Sequence, residues 1–153
     1  MPALGEQFRS HYSGLIPVES LLWRVWLATH EQEYDRFEYN VHVGKGINIA
    51  PRSLESDPEL QAKIQKQFQQ ATQKKIDCVG FRADAMTIFE VEERPGTRAL
   101  GQMLLYRELL HDLRPPTAPT TLVLIARRLG TDMRATFERM EIEIFLVVPP
   151  PPR

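Results

Sequence analysis

Apolar residues recur along the chain at helical spacing in three stretches. The first begins at Pro17, a residue that the first turn of a helix accepts, and continues through Leu22 and Trp26. The second begins at Thr97, which we expect to cap it, and ends before the prolines at 115–116. The third follows Gly130. The pattern therefore predicts three amphipathic helices, each with one face against a core.

Strand-like patterns fill the intervals between these helices. Residues 36–43 alternate apolar and polar side chains, which predicts a half-buried strand with four apolar side chains on one face: Phe37, Tyr39, Val41 and Val43. Two apolar runs, 75–81 and 86–92, predict central strands. The link between them lacks Asn-Gly or Asp-Gly, so a bulged or longer turn is expected.

The last two predicted strands lie toward the end of the chain. Residues 120–128 form a nearly continuous apolar run, which is typical of a strand covered on both faces, and 143–148 form a final buried strand. Strands that alternate with helices favour parallel neighbours joined by right-handed crossovers. The fold class predicted from this order is α/β, with a mixed central β-sheet flanked by helices.

One stretch is more polar than the remainder. Residues 51–73 are predicted to form a helical insert that starts at Asp57-Pro58, a cap followed by a first-turn proline. Only a narrow apolar ridge runs along it, at Leu60, Ile64, Phe68 and Ala71. Such a helix lies on a surface or contacts a partner. We expect one domain over residues 1–148 and a stiff proline-rich tail at 149–153.

Composition restricts the classes of partner and compartment. The chain has 153 residues, a formal net charge of −1 and an isoelectric point near 6.4, so a nucleic-acid partner would have to use a local basic patch. The single cysteine, Cys78, excludes an internal disulfide and fits a reducing compartment. The sequence shows neither a membrane-spanning run nor a signal-peptide pattern, so we expect a soluble protein in the cytoplasm, with no membrane partner.

Carboxylates and polar side chains are concentrated in residues 74–113. Asp77 lies in the first central strand, and Glu90 and Glu92 lie two residues apart in the second, so both point to the same side. Gln102 and Tyr106 are four residues apart, which places them on one helix face. A divalent cation such as Mg²⁺, which takes carboxylate oxygens, would explain this convergence.

This pattern resembles the PD-(D/E)xK nuclease superfamily. The match comprises Asp77, the pair Glu90 and Glu92 in the next strand, and the motif Gln102-x-x-x-Tyr106, which is closest to the RecB-like branch. The resemblance implies a restriction-endonuclease-like fold in which the aspartate and the first glutamate bind Mg²⁺. A lysine in the family orients or deprotonates the attacking water, and Glu92 stands in its place.

Five further residues accompany the motif. The Mg²⁺ site that the resemblance implies would use the Val91 carbonyl beside Asp77 and Glu90. Glu19, in the first turn of the opening helix, matches an acid that many members place there, although a helix N-terminus also favours a carboxylate by itself. Lys75 is two residues from Asp77 and is a candidate for a migrated base. Arg94 and Arg98 are close enough in sequence to counter the acids.

Two functions from different classes follow. Because the expected lysine is absent, the sequence favours a nuclease-like fold with a degenerate site, reused as a structural or adaptor component of a tailed-phage particle at the head–tail neck or tail. Small proteins of this pattern resemble phage open reading frames, which implies protein partners in an oligomeric assembly, in the host cytoplasm or the virion. The alternative is an active Mg²⁺-dependent DNA nuclease, because Glu-x-Glu also occurs in an active restriction enzyme.

Overall fold

The fold alternates helices and strands as the sequence pattern predicts. The computed structural model describes residues 5–47 and 57–153. The α-helices are α1 (Pro17–His30), α2 (Pro58–Thr72), α3 (Thr97–Leu113) and α4 (Thr131–Arg139). The strands are β1 (Arg36–Val43), β2 (Lys74–Arg82), β3 (Ala85–Glu92), β4 (Thr121–Ala126) and β5 (Ile142–Leu146). Two short 3₁₀ turns, Glu6–Phe8 and Glu31–Glu33, flank α1.

The strands form one mixed sheet in the order β1-β2-β3-β4-β5. The first three strands pair antiparallel, and β3, β4 and β5 pair parallel, with α3 and α4 as the connecting helices. The α/β class and the mixed sheet flanked by helices are therefore confirmed. Within the described residues, no helix is long and apolar enough to cross a membrane.

Two apolar clusters cover the two faces of this sheet. One contains Trp23 and Trp26 of α1, which pack on Phe89 of β3 with ring centroids 5.0 and 4.8 Å apart. The other contains Met103 of α3 and Phe137 of α4. Strand β4 contributes alternate side chains to both clusters, so it is covered on both faces as predicted. Helix α1 therefore packs on one face of the sheet, and α3 and α4 pack on the other.

The predicted single apolar face of β1 is wrong. Phe37 and Tyr39 pack on the α1 side of the sheet, whereas Val41 and Val43 belong to the cluster on the α3 side. Between them, Asn40 has a φ of 51°, the left-handed region that asparagine tolerates better than most residues. This single residue breaks the two-residue period and transfers the second half of the strand to the opposite face.

The predicted bulged or longer turn between β2 and β3 is also wrong. Arg82 and Ala85 pair directly, which leaves a two-residue turn with a φ of 49° at Ala83. Two-residue hairpin turns need positive φ, and glycine usually supplies it. Here the Ala83 backbone N–H donates to Asp35 Oδ2 at 2.7 Å, and this contact holds the turn without glycine.

The helix of the polar insert forms as predicted, and its first six residues, 51–56, lie outside the described residues. Asp57 caps α2 by accepting from the backbone N–H groups of Glu59 and Leu60 at 3.0 and 3.4 Å. Three glutamines of α2, Gln61, Gln65 and Gln69, are half-buried. The apolar ridge of this helix stays exposed. Residues 147–153 carry no helix or strand.

Thr97 does not cap α3 as the sequence suggested. Gly96 occupies the N-cap position and Thr97 is the first helical residue. The Gly96 carbonyl accepts from the Ala99 backbone N–H at 3.1 Å, so the helix begins on a backbone contact. Arg98 is thereby placed in the first turn of α3, at the same end of the sheet as Glu92.

Candidate functional site

The candidate site begins where the pairing between β2 and β3 ends. The last ladder pair is Cys78 with Phe89, so Asp77 lies just beyond it. The Val91 backbone N–H donates to Asp77 Oδ2 at 3.0 Å, and this side-chain contact replaces the next ladder bond. Val91 therefore contacts Asp77 through its backbone N–H.

Glu90 occupies the centre of the site. Its neighbours Met86 and Ile88 at alternate positions of β3 belong to the cluster under α3, so Glu90 faces that helix. Only 6% of its surface is exposed. Its Oε2 atom is buried without a hydrogen-bond partner, a condition shared only with Trp26 Nε1 among the side-chain atoms that the structure describes. A buried carboxylate oxygen without a partner carries a large desolvation cost.

The electrostatics of Asp77 and Glu90 reflect this burial. Burial, followed by the charges of Asp77, Glu92 and Glu19, raises the pKa of Glu90 to about 9, and Arg98 opposes this shift. Burial, together with the charges of Glu19 and Glu92, raises the pKa of Asp77 to about 7, and the Val91 hydrogen bond opposes this shift. Without a bound cation, the site therefore retains protons near neutral pH.

Glu19 and Glu92 complete the acidic cluster, which we define as Glu19, Asp77, Glu90 and Glu92. Burial and then the charge of Glu92 raise the pKa of Glu19, whose carboxylate also accepts from the Ile16 backbone N–H at 3.0 Å. Burial raises the pKa of Glu92, and Arg98 lowers it. Glu19 thus caps α1, as its position near the helix N-terminus predicts, and also belongs to the electrostatic environment of the other three acids.

One face of α3 covers this cluster. Arg98, Gln102 and Tyr106 follow each other at intervals of four residues and therefore line one side of the helix. Burial raises the pKa of the Tyr106 phenol, and the charges of Glu90 and Asp77 raise it further, so the ring lies against the acids. Tyr106 is also a member of the core cluster on this side, which means that it packs as well as facing the site.

The structure does not bring every predicted residue to the cluster. Lys75 is exposed and pairs across the sheet with His42, and no contact of Lys75 with the four acids occurs within residues 5–47 and 57–153. Of the two arginines named as counter-charges, Arg98 acts on Glu90 and Glu92. The side chain that could have replaced the missing lysine is therefore Arg98, on the helix.

Four arginines follow the ends of β3 and β4 along the chain, near Glu92. The carbonyl of Glu93, next to Glu92, accepts from the backbone N–H groups of Arg127 and Arg128 at 3.2 and 3.0 Å. Arg127 also forms an ion pair with Glu93 at 3.3 Å, while Arg94, Arg98 and Arg128 are exposed. We call Arg94, Arg98, Arg127 and Arg128 the arginine rim. Arg127 and Arg128 were not singled out from the sequence. Because they directly follow β4, which is parallel to β3, they must lie beside the end of β3.

The chemistry of the acids fits a hard divalent cation. Two carboxyl groups and a backbone carbonyl offer oxygen ligands, and the unpartnered Glu90 oxygen would gain from a positive charge more than from any neutral donor. Among the described residues, no three His, Cys, Asp or Glu groups are placed to hold a metal ion. A divalent cation bound at this site would take its protein ligands from Asp77, Glu90 and the Val91 carbonyl.

The chain was also compared with known proteins. No protein-family model matches the sequence, and neither a curated protein nor a solved structure is significantly similar to it.

Proposed function

We propose that the protein is a Mg²⁺-dependent phosphodiesterase that acts on DNA, through the acidic cluster and the arginine rim. The observation that carries this proposal is the buried, unpartnered Oε2 atom of Glu90 among three other acids. An arrangement that costs stability without a ligand, at the end of paired strands, is characteristic of a functional site. The resemblance to the PD-(D/E)xK superfamily supplies DNA as the substrate.

The roles of the residues follow from their positions. Asp77, Glu90 and the Val91 carbonyl would bind the cation, which lowers the pKa of a bound water and neutralises charge on the phosphate. Glu92 is half-buried with a raised pKa, which suits it to accept a proton from that water in place of a lysine. Arg98 lies beside Glu92 and can contact the phosphate.

The arginine rim gives the local basic surface that a chain with a net charge of −1 needs for a polyanion. Guanidinium groups bind phosphate oxygens through paired hydrogen bonds, so arginines beside an acidic site favour a phosphodiester over a neutral substrate. The acids and the arginines have opposite tasks in this arrangement. The acids attract the cation, and the rim attracts the nucleic-acid backbone.

The test is a cleavage assay on linear and circular DNA with Mg²⁺ or Mn²⁺. We expect cleavage by the unmodified protein and a loss of at least about a hundredfold in Asp77→Asn, since removing a metal ligand removes the activated water. Glu108→Gln, a change in an exposed carboxyl on the outer side of α3, is the matched control and should retain activity. Absence of metal-dependent cleavage in a folded protein would refute the nuclease proposal.

A second function, a structural or adaptor role in a tailed-phage particle, is favoured by a separate observation on α2. This helix leaves its apolar ridge exposed: Leu60 by 48%, Ile64 by 45% and Phe68 by 37%. Exposed apolar ridges of this kind mark protein contacts. The phage context rests on the resemblance, and it implies an oligomeric assembly in the host cytoplasm or the virion.

The structural role predicts a different outcome from the nuclease. Ile64→Ser and Phe68→Ser should abolish assembly with partner proteins without lowering the melting temperature, because both side chains are exposed in the isolated chain. The matched control is Lys63→Ser on the same helix. Assembly that survives the ridge substitutions would contradict the structural role, whatever the cleavage assay gives.

A further inference from the structure

A cavity of about 240 Å³ lies on the α3 side of the domain, away from the acidic cluster. Its apolar wall is formed by Val43, Ile47, Leu105 and Leu109, and the segment Gly44–Gly46 closes one side. None of the four acids and none of the arginine rim lines it. The cavity is therefore a second concave site with its own chemistry, independent of the proposed phosphodiesterase activity.

Four elements line this cavity: the end of β1 with its loop, the end of α2, the start of β2, and α3. Side-chain contacts join the first three. The Ile47 backbone N–H donates to Thr72 Oγ1 at 2.7 Å, which joins the loop after β1 to the end of α2. Gln73 Nε2 donates to the Gly44 carbonyl at 2.8 Å, which joins the same loop to the start of β2. The loop needs positive φ at two positions, 78° at Gly44 and 71° at Gly46, and glycine adopts this conformation without strain.

Gly46 also matters for space. A Cβ atom at this position would overlap the Gln69 carbonyl oxygen, so the loop could not approach α2 with any other residue there. At Gly44, a Cβ would lie 3.1 Å from Leu109 Cδ1, on the cavity wall. The Gly44-Lys45-Gly46 sequence thus forms a close-packed rim that presents the lysine between two glycines.

The charges around the cavity are of one sign. Its two titratable lining residues are Lys45 and Lys74, both exposed, and Thr72 adds a hydroxyl. An apolar wall with two cations at the rim complements a molecule with an apolar body and one anionic head. A cavity of roughly 150 Å³ accommodates a benzene ring, so this one has room for a ring or a short chain together with its head group.

We infer that this cavity binds a small amphipathic organic anion, with the carboxylate between Lys45 and Lys74 and the apolar part against Leu105 and Leu109. Exposed ion pairs are individually weak, so the apolar wall supplies most of the affinity and the lysines supply the preference for an anion. The two contributions can be separated by experiment because they reside on different side chains.

The probe pair is octanoate and 1-octanol, which differ in the charged head. Each is titrated into ¹⁵N-labelled protein, and the amide signals of Gly44 and Gly46 are followed. We expect saturable shifts of both signals with octanoate and about fivefold to tenfold weaker binding of octanol, the ratio that two exposed ion pairs give. The double variant Lys45→Ala/Lys74→Ala should bind the two probes equally.

Two further variants make the result decisive. Leu105→Trp, at a partly exposed position on the wall, should fill the cavity and abolish the shifts while leaving the remaining spectrum intact. The charge-matched control Lys63→Ala/Lys66→Ala, on the part of α2 that does not line the cavity, should bind octanoate as the unmodified chain does. Absent or unsaturable shifts, equal affinity of the unmodified chain for both probes, or binding that survives Leu105→Trp would overturn the inference.

Discussion

Replacing Glu90 by glutamine tests the buried acid directly. The raised pKa means that Glu90 holds its proton more tightly in the folded protein than in the unfolded chain. Its contribution to the free energy of unfolding is therefore fully present below its ordinary pKa of 4.5 and is lost as the pH rises toward about 9. Glu90→Gln removes the ionisable group and keeps nearly the same shape, so it should stabilise the metal-free protein in this pH window.

The size of the effect follows from the shift. Each pH unit between the unfolded and folded pKa values costs about 1.4 kcal/mol for one group. Over the interval from 4.5 to pH 8 an isolated group would lose about 5 kcal/mol. The repulsion among Asp77, Glu90 and Glu92 does not belong to Glu90 alone, and Arg98 opposes it. We therefore expect Glu90→Gln to stabilise the metal-free protein by about half of that amount, roughly 2 kcal/mol. For a chain of this length that corresponds to a rise in melting temperature of about 4–8 °C.

The assay is a thermal melt in EDTA at pH 5 and at pH 8. The unmodified protein should melt lower at pH 8 than at pH 5, and Glu90→Gln should remove most of that difference. Glu108→Gln, the same change at an exposed position of α3, should alter neither value by more than about 1 °C. A Glu90→Gln variant that melts below the unmodified protein at pH 8 would refute the reasoning, because the carboxylate would then be making a favourable contact.

Three further predictions follow. Glu92→Lys should raise the metal-free melting temperature through relief of about 0.5–1 kcal/mol of repulsion, measured in EDTA, and a lower value would show that the loss of the Arg98 attraction outweighs that relief. Ala83→Gly should stabilise the β2–β3 turn by about 0.5–1 kcal/mol in denaturant unfolding, because alanine pays for its φ of 49°; Ala85→Gly, in the adjoining strand, is the control and should destabilise. Added Mg²⁺ at pH 8 should raise the melting temperature of the unmodified chain and leave Asp77→Asn unchanged.

Much of the fold could be predicted because hydrophobic periodicity reports burial. The continuous apolar run of β4 and the stripe of α1 led to a mixed sheet flanked by helices, which the structure confirms. The predictions for β1 and for the β2–β3 turn are wrong because the backbone of a single residue departs from the regular strand or turn pattern. At Asn40 a left-handed backbone reverses the faces of β1, and at Ala83 a contact with Asp35 permits a tight turn without glycine. Neither effect leaves a local pattern in the sequence.

In the candidate site, too, local spacing predicts some features and tertiary packing decides the others. Asp77, Glu90 and Tyr106 could be placed near one another because strand alternation and helix spacing fix their sides. The burial of Glu90 and the absence of a partner for its Oε2 atom depend on how α3 covers the sheet, which spacing does not determine. Arg128 reaches the same edge through the parallel pairing of β3 and β4, a long-range feature of the topology.

The central claim is that Asp77 and Glu90 hold a divalent cation, and calorimetric titration with Mn²⁺ at pH 8 tests it most directly. Measured in two buffers of different ionisation enthalpy, the titration also counts protons. We predict one ion per chain, release of about one proton from the buried acids on binding, and no binding to Asp77→Asn. Binding that persists in Asp77→Asn, or no heat of binding to the folded unmodified protein, would contradict the account.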